Sequence, residues 1–213
     1  CKIILSWEVE HLYQAEKTLT QERFSCHFED PLCFNKIEKA IYAYMQDVEL
    51  GRELVFLCIG TDRATGDCLG PLVGSRLKSL SPSTAVYGTL EMPVHATNLQ
   101  ETLDEIFATY TQPFIIAVDA CLGNADRIGY INVRRGSLKP GTALNKSLPE
   151  VGDFHISGVV NVGGFFEHMV LQNTRLFIVY KMADIIAKGL YLARVKSLSG
   201  RLNREVEAEP LES

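Results

Sequence analysis

The 213-residue chain lacks the features that mark several large classes of protein. It has no basic excess, because 21 lysines and arginines stand against 26 aspartates and glutamates, for a net charge of −5. A general basic surface for nucleic acid is therefore excluded. The longest uncharged stretch near the middle, residues 154–166, holds 13 residues, fewer than the roughly 20 of a membrane-spanning helix. We expect neither nucleic acid nor a membrane among its partners.

Cysteine is sparse, and its spacing is uninformative for metal binding. The six cysteines include no C-x-x-C pair, so neither a structural zinc site nor a disulfide scaffold is expected. The apolar residues at the N-terminus meet Glu8 too early to form the core of a signal peptide. These absences favour a reduced, cytoplasmic protein with buried thiols.

The phosphate-binding motifs are missing as well. Gly66 stands six positions after Gly60, and Asp67 follows where a Walker loop has lysine. No G-x-G-x-x-G fingerprint follows the apolar run at 54–59. Nucleotide binding is therefore not favoured.

What the sequence does contain, from residue 53 onwards, is an alternation of apolar runs and amphipathic stretches. Strands are predicted at 54–59, 85–87, 114–118, 130–134 (as an edge strand) and 176–180. Helices are predicted at about 37–51, 67–80, 98–107 (with Phe107 facing inward), 163–172 and 183–197. This order predicts an α/β fold of three layers, α/β/α, with a mostly parallel sheet.

The chain divides into three predicted parts. Residues 1–34 are interpreted as an N-terminal arm or helix, with Trp7, Leu12, Ala15 and Leu19 on one face. Residues 35–200 form a single α/β domain, and 201–213 form an acidic tail. The apolar arm is the reason to expect a homodimer.

Two aspartates follow predicted central strands, and a histidine lies further along the chain. Asp67 and Asp119 should meet at the carboxyl edge of the sheet, where parallel α/β folds bind ligands. Taken singly, Asp67 is best explained as a helix N-cap, and Asp119 as a strand-end residue that caps a turn. His155 lies in a predicted glycine-rich loop and could complete a site for a divalent transition metal. His95 is a weaker candidate, and His168 is taken as structural or exposed.

Four short motifs carry a family resemblance. They are GTDRATGDCLGPLVG at 60–74, VDA at 118–120, HISG at 155–158 and KMAD at 181–184. In these motifs, and over roughly residues 34–195, the chain closely resembles the YyaC family of sporulation proteins from spore-forming Firmicutes. That family is distantly similar to the spore germination protease and to hydrogenase maturation endopeptidases, which share a phosphorylase/hydrolase-like α/β fold.

The resemblance implies roles for individual residues. The essential aspartates of the germination protease stand in Asp-x-Leu-Gly-Pro and Ile-Asp-Ala contexts, which fall on Asp67 and Asp119. The maturation endopeptidases bind nickel through an acidic residue, an aspartate and a later histidine, and His155 takes the third place by its order in the chain. Asp67, Asp119 and His155 are thus candidate ligands of nickel or zinc. The first position is glutamate in those enzymes and aspartate here.

Three functions remain open from the sequence. The leading one is a sporulation-associated peptidase or hydrolase in the cytoplasm of the sporulating cell or forespore, with a peptide or protein as substrate. One aspartate would act as base and the other as acid, while Arg63, Gly60 and Gly66 would bind substrate or stabilise an oxyanion. The alternatives are a non-catalytic binding protein and a metal-dependent small-molecule hydrolase.

Overall fold

A six-stranded sheet organises the chain, in the order β1-β5-β6-β4-β2-β3. The computed structural model describes residues 23–46, 52–140 and 149–208, with side chains up to residue 200. The strands are β1 (Arg23–His27), β2 (Leu54–Cys58), β3 (Ala85–Tyr87), β4 (Phe114–Gly123), β5 (Tyr130–Arg135) and β6 (Phe154–Val162). The helices are α1 (Cys33–Met45), α2 (Leu69–Leu80), α3 (Leu99–Thr109), α4 (Glu167–Gln172) and α5 (Leu176–Ala208).

Four of the six strands run parallel. β3, β2, β4 and β6 are parallel neighbours, whereas β5 is antiparallel to β6, and β1 is antiparallel to β5. β2 and β4 are central because their apolar runs can be buried on both faces. The predicted α/β/α class with a mostly parallel sheet is confirmed.

Helices cover both faces of the sheet. α1, α2 and α5 pack on one face, where Ile37, Ile41, Leu69, Val73 and Ile186 join the larger core. α3 packs on the opposite face and contributes Leu99, Leu103 and Ile106 to a second core. Both sets follow the three- and four-residue spacing of an amphipathic helix. No described helix is long and apolar enough to cross a membrane.

The prediction of a strand at 176–180 is wrong. These residues are the first turns of α5, a helix of 33 residues. Val179, Met182, Ala183 and Ile186 are buried at helical spacing, while Leu176 is exposed. A five-residue apolar run does not distinguish a strand from a helix by itself, and packing against α1 and α2 decides for the helix.

The prediction that residues 152–158 form a loop is also wrong, because most of them belong to the central strand β6. Gly158 lies within that strand, and a Cβ there would stand 2.6 Å from Leu69 Cδ2. Its glycine therefore reflects the close packing of α2 on the sheet rather than a tight loop.

The sheet also extends further towards the N-terminus than predicted. β1 lies within the stretch interpreted as an arm and pairs with β5 from Arg23 to His27. β5 is consequently an interior strand, not the predicted edge strand.

Phe107 is 61% exposed, contrary to the prediction that it faces inward. α5 continues to Ala208, and the amphipathic segment predicted at 7–19 lies outside the described residues.

Candidate active site

Asp67 lies in a 3₁₀ turn, Thr65–Cys68, between β2 and α2. The turn is fixed by two backbone bonds, from the Asp67 N–H to the Ala64 carbonyl oxygen (3.0 Å) and from the Thr61 N–H to the Asp67 carbonyl oxygen (3.1 Å). The N-cap position of α2 is Cys68, and no side chain caps it. Asp67 is therefore not the helix cap that the sequence also allowed.

Asp119 lies where β4 passes the end of β2. The last bond between these strands runs from the Ile59 N–H to the Val118 carbonyl oxygen (2.7 Å), and β4 then continues to Gly123. Asp119 is 7% exposed, and its Oδ1 accepts a hydrogen bond from the Ala120 N–H at 2.8 Å. The 3₁₀ turn that carries Asp67 contacts this part of β4. Both aspartates therefore lie at the carboxyl edge of the parallel strands.

The surroundings raise the pKa values of the two carboxyl groups to different extents. Burial, and secondly the charge of Asp67, raise the pKa of Asp119 well above its ordinary value, although the Ala120 N–H opposes the shift. Burial also raises the pKa of Asp67, against the Thr61 amide and the imidazoles of His95 and His168. A pair of this kind favours a proton on Asp119 and a charge on Asp67.

His155 lies elsewhere along the same strands. It is the register partner of Ala117, whereas Ser157, two residues later, is the partner of Asp119. Its Nδ1 is 2.9 Å from the Gly136 carbonyl oxygen, and burial lowers its pKa. The His155 ring therefore lies against Gly136, and His155 precedes the register partner of Asp119 by two residues along β6.

Two other histidines, His95 and His168, oppose the rise in the pKa of Asp67 through their charge. His95 follows Val94, whose carbonyl oxygen accepts the Gly60 N–H at 2.8 Å. His168 lies in the first turn of α4, the helix that packs on the Thr65–Cys68 turn. The sequence contained a signal for His168, because it follows the carboxyl end of β6, and recognising β6 as a strand would have revealed it.

The residues predicted to bind an oxyanion have different environments. The Gly60 N–H is already bonded to Val94, so it cannot donate to a substrate. Gly66 is buried, and a Cβ there would meet Thr174 Oγ1 at 2.7 Å. Arg63 is exposed on the loop before Asp67, and its role in binding an oxyanion or substrate stays a prediction.

The three predicted metal ligands do not form one group among the residues that the structure describes. Within the part of the chain that the structure describes, no three histidine, cysteine, aspartate or glutamate side chains come together to hold an ion. The contact with Gly136 uses His155 Nδ1 and leaves Nε2 without a bond to a described residue, as in many histidines that bind a metal. A nickel or zinc ion held by Asp67, Asp119 and His155 therefore stays a prediction.

The thiols near the site are poor nucleophiles. Burial, with smaller contributions from Asp62 and Asp67, raises the pKa of Cys68 to about 11. Burial alone raises the pKa of Cys58 to about 12. Since the thiolate is the reactive form of cysteine, Cys58 and Cys68 are poor candidates for a nucleophile at this edge.

Two comparisons with known proteins agree with the motifs. The family described as "Protein of unknown function (DUF1256)" matches residues 25–189. The "Uncharacterized protein YyaC" of Bacillus subtilis (strain 168) is 52% identical over 155 residues, which are 72% of this chain and 76% of the relative. The family match begins within β1 and ends within α5, and it includes both aspartates. The chain thus belongs to the DUF1256 family, which confirms its resemblance to YyaC.

Proposed function

We propose that this protein is a sporulation-associated hydrolase of the peptidase type, in which Asp67 and Asp119 are the catalytic pair. The observation that carries the proposal is the effect of the Asp67 charge on the pKa of the buried Asp119. Two carboxyl groups whose environments separate their pKa values can divide into a base and an acid. Cytoplasmic action in the sporulating cell or forespore belongs to the same proposal.

The asymmetry of the pair assigns the two roles. The Asp67 carboxylate takes a proton from a water molecule, whose oxygen attacks the carbonyl carbon of the scissile amide. Asp119 donates its proton to the carbonyl oxygen. When the tetrahedral intermediate collapses, Asp119 recovers this proton, and the proton on Asp67 passes to the leaving amine. The pair thereby returns to its starting state.

Positive and partly positive groups beside the pair favour the same chemistry. Arg63, on the loop before Asp67, and the first N–H groups of α2 would stabilise the negative charge that develops on the carbonyl oxygen. The charges of His95 and His168 partly offset the rise that burial causes in the pKa of Asp67, which favours the ionised form that a base needs.

The surface beside α4 favours a protein as the substrate. We call the exposed side chains of this region the α4–α5 apolar patch, and its members are Phe165, Phe166, Met169, Leu176, Phe177 and Tyr180. Phe165 is 93% exposed. Large exposed apolar patches mark sites of protein–protein contact, and this one adjoins the helix that carries His168.

The test is a peptidase assay on small acid-soluble spore proteins, with products identified by mass spectrometry. Asp67→Asn and Asp119→Asn should each lower the rate by about 10²–10⁴-fold, the usual contribution of a general acid or base. Asp126→Asn, at an exposed aspartate of the 3₁₀ turn before β5, is the matched control and should be fully active. Binding of these proteins without cleavage would instead favour a non-catalytic binding protein.

A further inference from the structure

A groove of about 840 Å³ runs along the outer edge of β3. Ser75 and Lys78 of α2 form one side, and α3 forms the other side with Thr102 and Glu105. Residues 86–89 form its base, and residues 91–95 form its lip. This volume lies within the roughly 300–1,000 Å³ typical of ligand sites. We call this feature the β3 groove.

The β3 groove ends at the candidate active site. Its lip returns to the sheet at Val94, which bridges to Ile59 and accepts the Gly60 N–H. Gly60 in turn lies directly against the backbone of Asp67. The next residue, His95, lines the groove. A chain lying in the groove would therefore lead to Asp67.

We infer that the β3 groove is the substrate cleft of this protein and takes an extended peptide segment that bears lysine or arginine side chains. The inference rests on the proposed function, because it specifies the substrate of the same pair of aspartates. Two features of the groove carry it, its main-chain edge and its charge.

The first feature is the edge of the sheet. β3 pairs with β2 on one side, and no described strand pairs with it on the other. An edge strand offers backbone N–H and carbonyl groups that an extended peptide can bond as an added strand. The base of the groove, residues 86–89, comprises the end of this strand and its continuation. A peptide added there lies between α2 and α3.

The second feature is the charge of the groove. The Lys78 Nζ is held at the carbonyl oxygens of Thr84 (2.7 Å) and Pro82 (3.3 Å), so its single positive charge is outnumbered by two glutamates in the lining of the groove. Glu91 and Glu105 are exposed, and neither forms an ion pair with a described residue. The apolar wall of the groove can take the aliphatic stems of lysine or arginine, whose cationic ends then meet the two glutamates.

The test uses fluorescein-labelled decapeptides and fluorescence anisotropy at low salt. The probe alternates valine with lysine, and a second peptide replaces every lysine with glutamate. A third peptide keeps the lysines but carries N-methyl groups on alternate amides, which removes main-chain donors. Binding is measured on the Asp119→Asn variant, so that cleavage does not interfere. We expect only the first peptide to bind well and to slow hydrogen exchange at residues 86–89.

Matched variants test the two glutamates. In the Asp119→Asn background, Glu91→Gln with Glu105→Gln should weaken binding of the lysine peptide by about five- to tenfold, with a smaller effect at high salt. Glu53→Gln with Glu101→Gln, at two exposed glutamates outside the groove, should leave the affinity unchanged. Equal affinity for the lysine and glutamate peptides, or an unchanged affinity in the groove variant, would overturn the inference.

The native protein separates this inference from the proposed function. If the lysine peptide binds as expected but the native protein does not cleave it, the peptidase proposal fails and the groove assignment stands. If the native protein cleaves the peptide with the same KM after Glu91→Gln and Glu105→Gln, the groove assignment fails and the peptidase proposal stands.

Discussion

Ser157 of β6 is the register partner of Asp119 of β4, and the polar row continues across the sheet. Asn132 of β5 pairs with Ser157, and Ser25 of β1 pairs with Asn132. The Ser25 hydroxyl donates to Asn132 Oδ1 at 2.8 Å and accepts from the Arg127 guanidinium at 2.6 Å. A row of polar residues in register thus extends from the buried acid to β1.

Breaking this row should destabilise the protein. Asn132→Ala removes the partner of Ser25 and leaves a buried gap, so we expect a loss of about 1–3 kcal/mol in the free energy of unfolding. Urea unfolding followed by circular dichroism measures this loss. Ser137→Ala, at an exposed serine, should cost less than about 0.5 kcal/mol, and equal losses in the two variants would contradict a structural role for the row.

The raised pKa of Asp119 predicts how stability depends on pH. The folded state holds a proton that the unfolded chain has released above the ordinary pKa near 3.9, so this carboxyl reduces stability as pH rises through that range. Asp119→Asn should therefore gain stability relative to the native protein from about pH 4 upwards. The gain should level off above the raised pKa of the folded state.

Urea unfolding of both proteins at several pH values measures this difference, because contributions common to the two proteins cancel. The exposed variant Asp126→Asn should show no such trend. A difference between the native protein and Asp119→Asn that stays constant from pH 4 to pH 8 would show that the carboxyl is not perturbed by its surroundings.

Gly60 should not tolerate a side chain. Its φ is +139°, and a Cβ would lie 2.0 Å from the Asp67 carbonyl oxygen. Gly164 has nearly the same φ, +140°, and a Cβ there would have no neighbour within 4 Å. Gly60→Ala should cost about 3 kcal/mol or more, and Gly164→Ala about 1 kcal/mol from strain alone. Thermal unfolding compares them, and similar losses would disprove the close contact at Asp67.

His168 and His155 should differ in their effect on Asp67. His168→Gln removes an imidazole that lowers the pKa of this carboxyl, so that pKa should rise. His155→Gln should leave it unchanged, because His155 bonds Gly136. A carbon-13 NMR titration of the Asp67 carboxyl measures both variants. If His155→Gln changes the pKa of Asp67 as much as His168→Gln does, His155 also lies close to this carboxyl.

Metal binding has an independent test. Calorimetric titration with zinc and with nickel should give equal heats for the native protein and His155→Ala, since His155 does not form a three-ligand group with the two aspartates in the described part of the chain. Weaker binding in His155→Ala would instead support the three-ligand site predicted from the sequence. Asp67→Asn serves as the comparison for a metal held by the aspartates alone.

The sequence predicted well where strands are uniformly apolar. Residues 54–59 and 114–118 are unbroken runs of this kind, and they placed Asp67 and Asp119 at one edge of the sheet. β6 was missed because Gly158 and polar residues interrupt its apolar pattern. Gly158 is required by the contact with α2, and Ser157 belongs to the polar row across the sheet. That error favoured His155 over His168. The wrong assignment at 176–180 arose because helix packing, not local pattern, decides the structure of a short apolar run.

The pairing of α1 with α5 has a consequence for how the chain folds. α1 comes early in the chain and α5 is the last described helix, yet the Lys196 Nζ of α5 lies 3.0 Å from the Glu38 Oε1 of α1. Ile37 and Ile41 of α1 also pack beside Gly189 of α5. The larger core therefore cannot close until nearly the whole domain has been synthesised. Contacts between such distant segments slow folding. A nascent chain of this protein would leave the apolar face of α1 uncovered until α5 emerges from the ribosome.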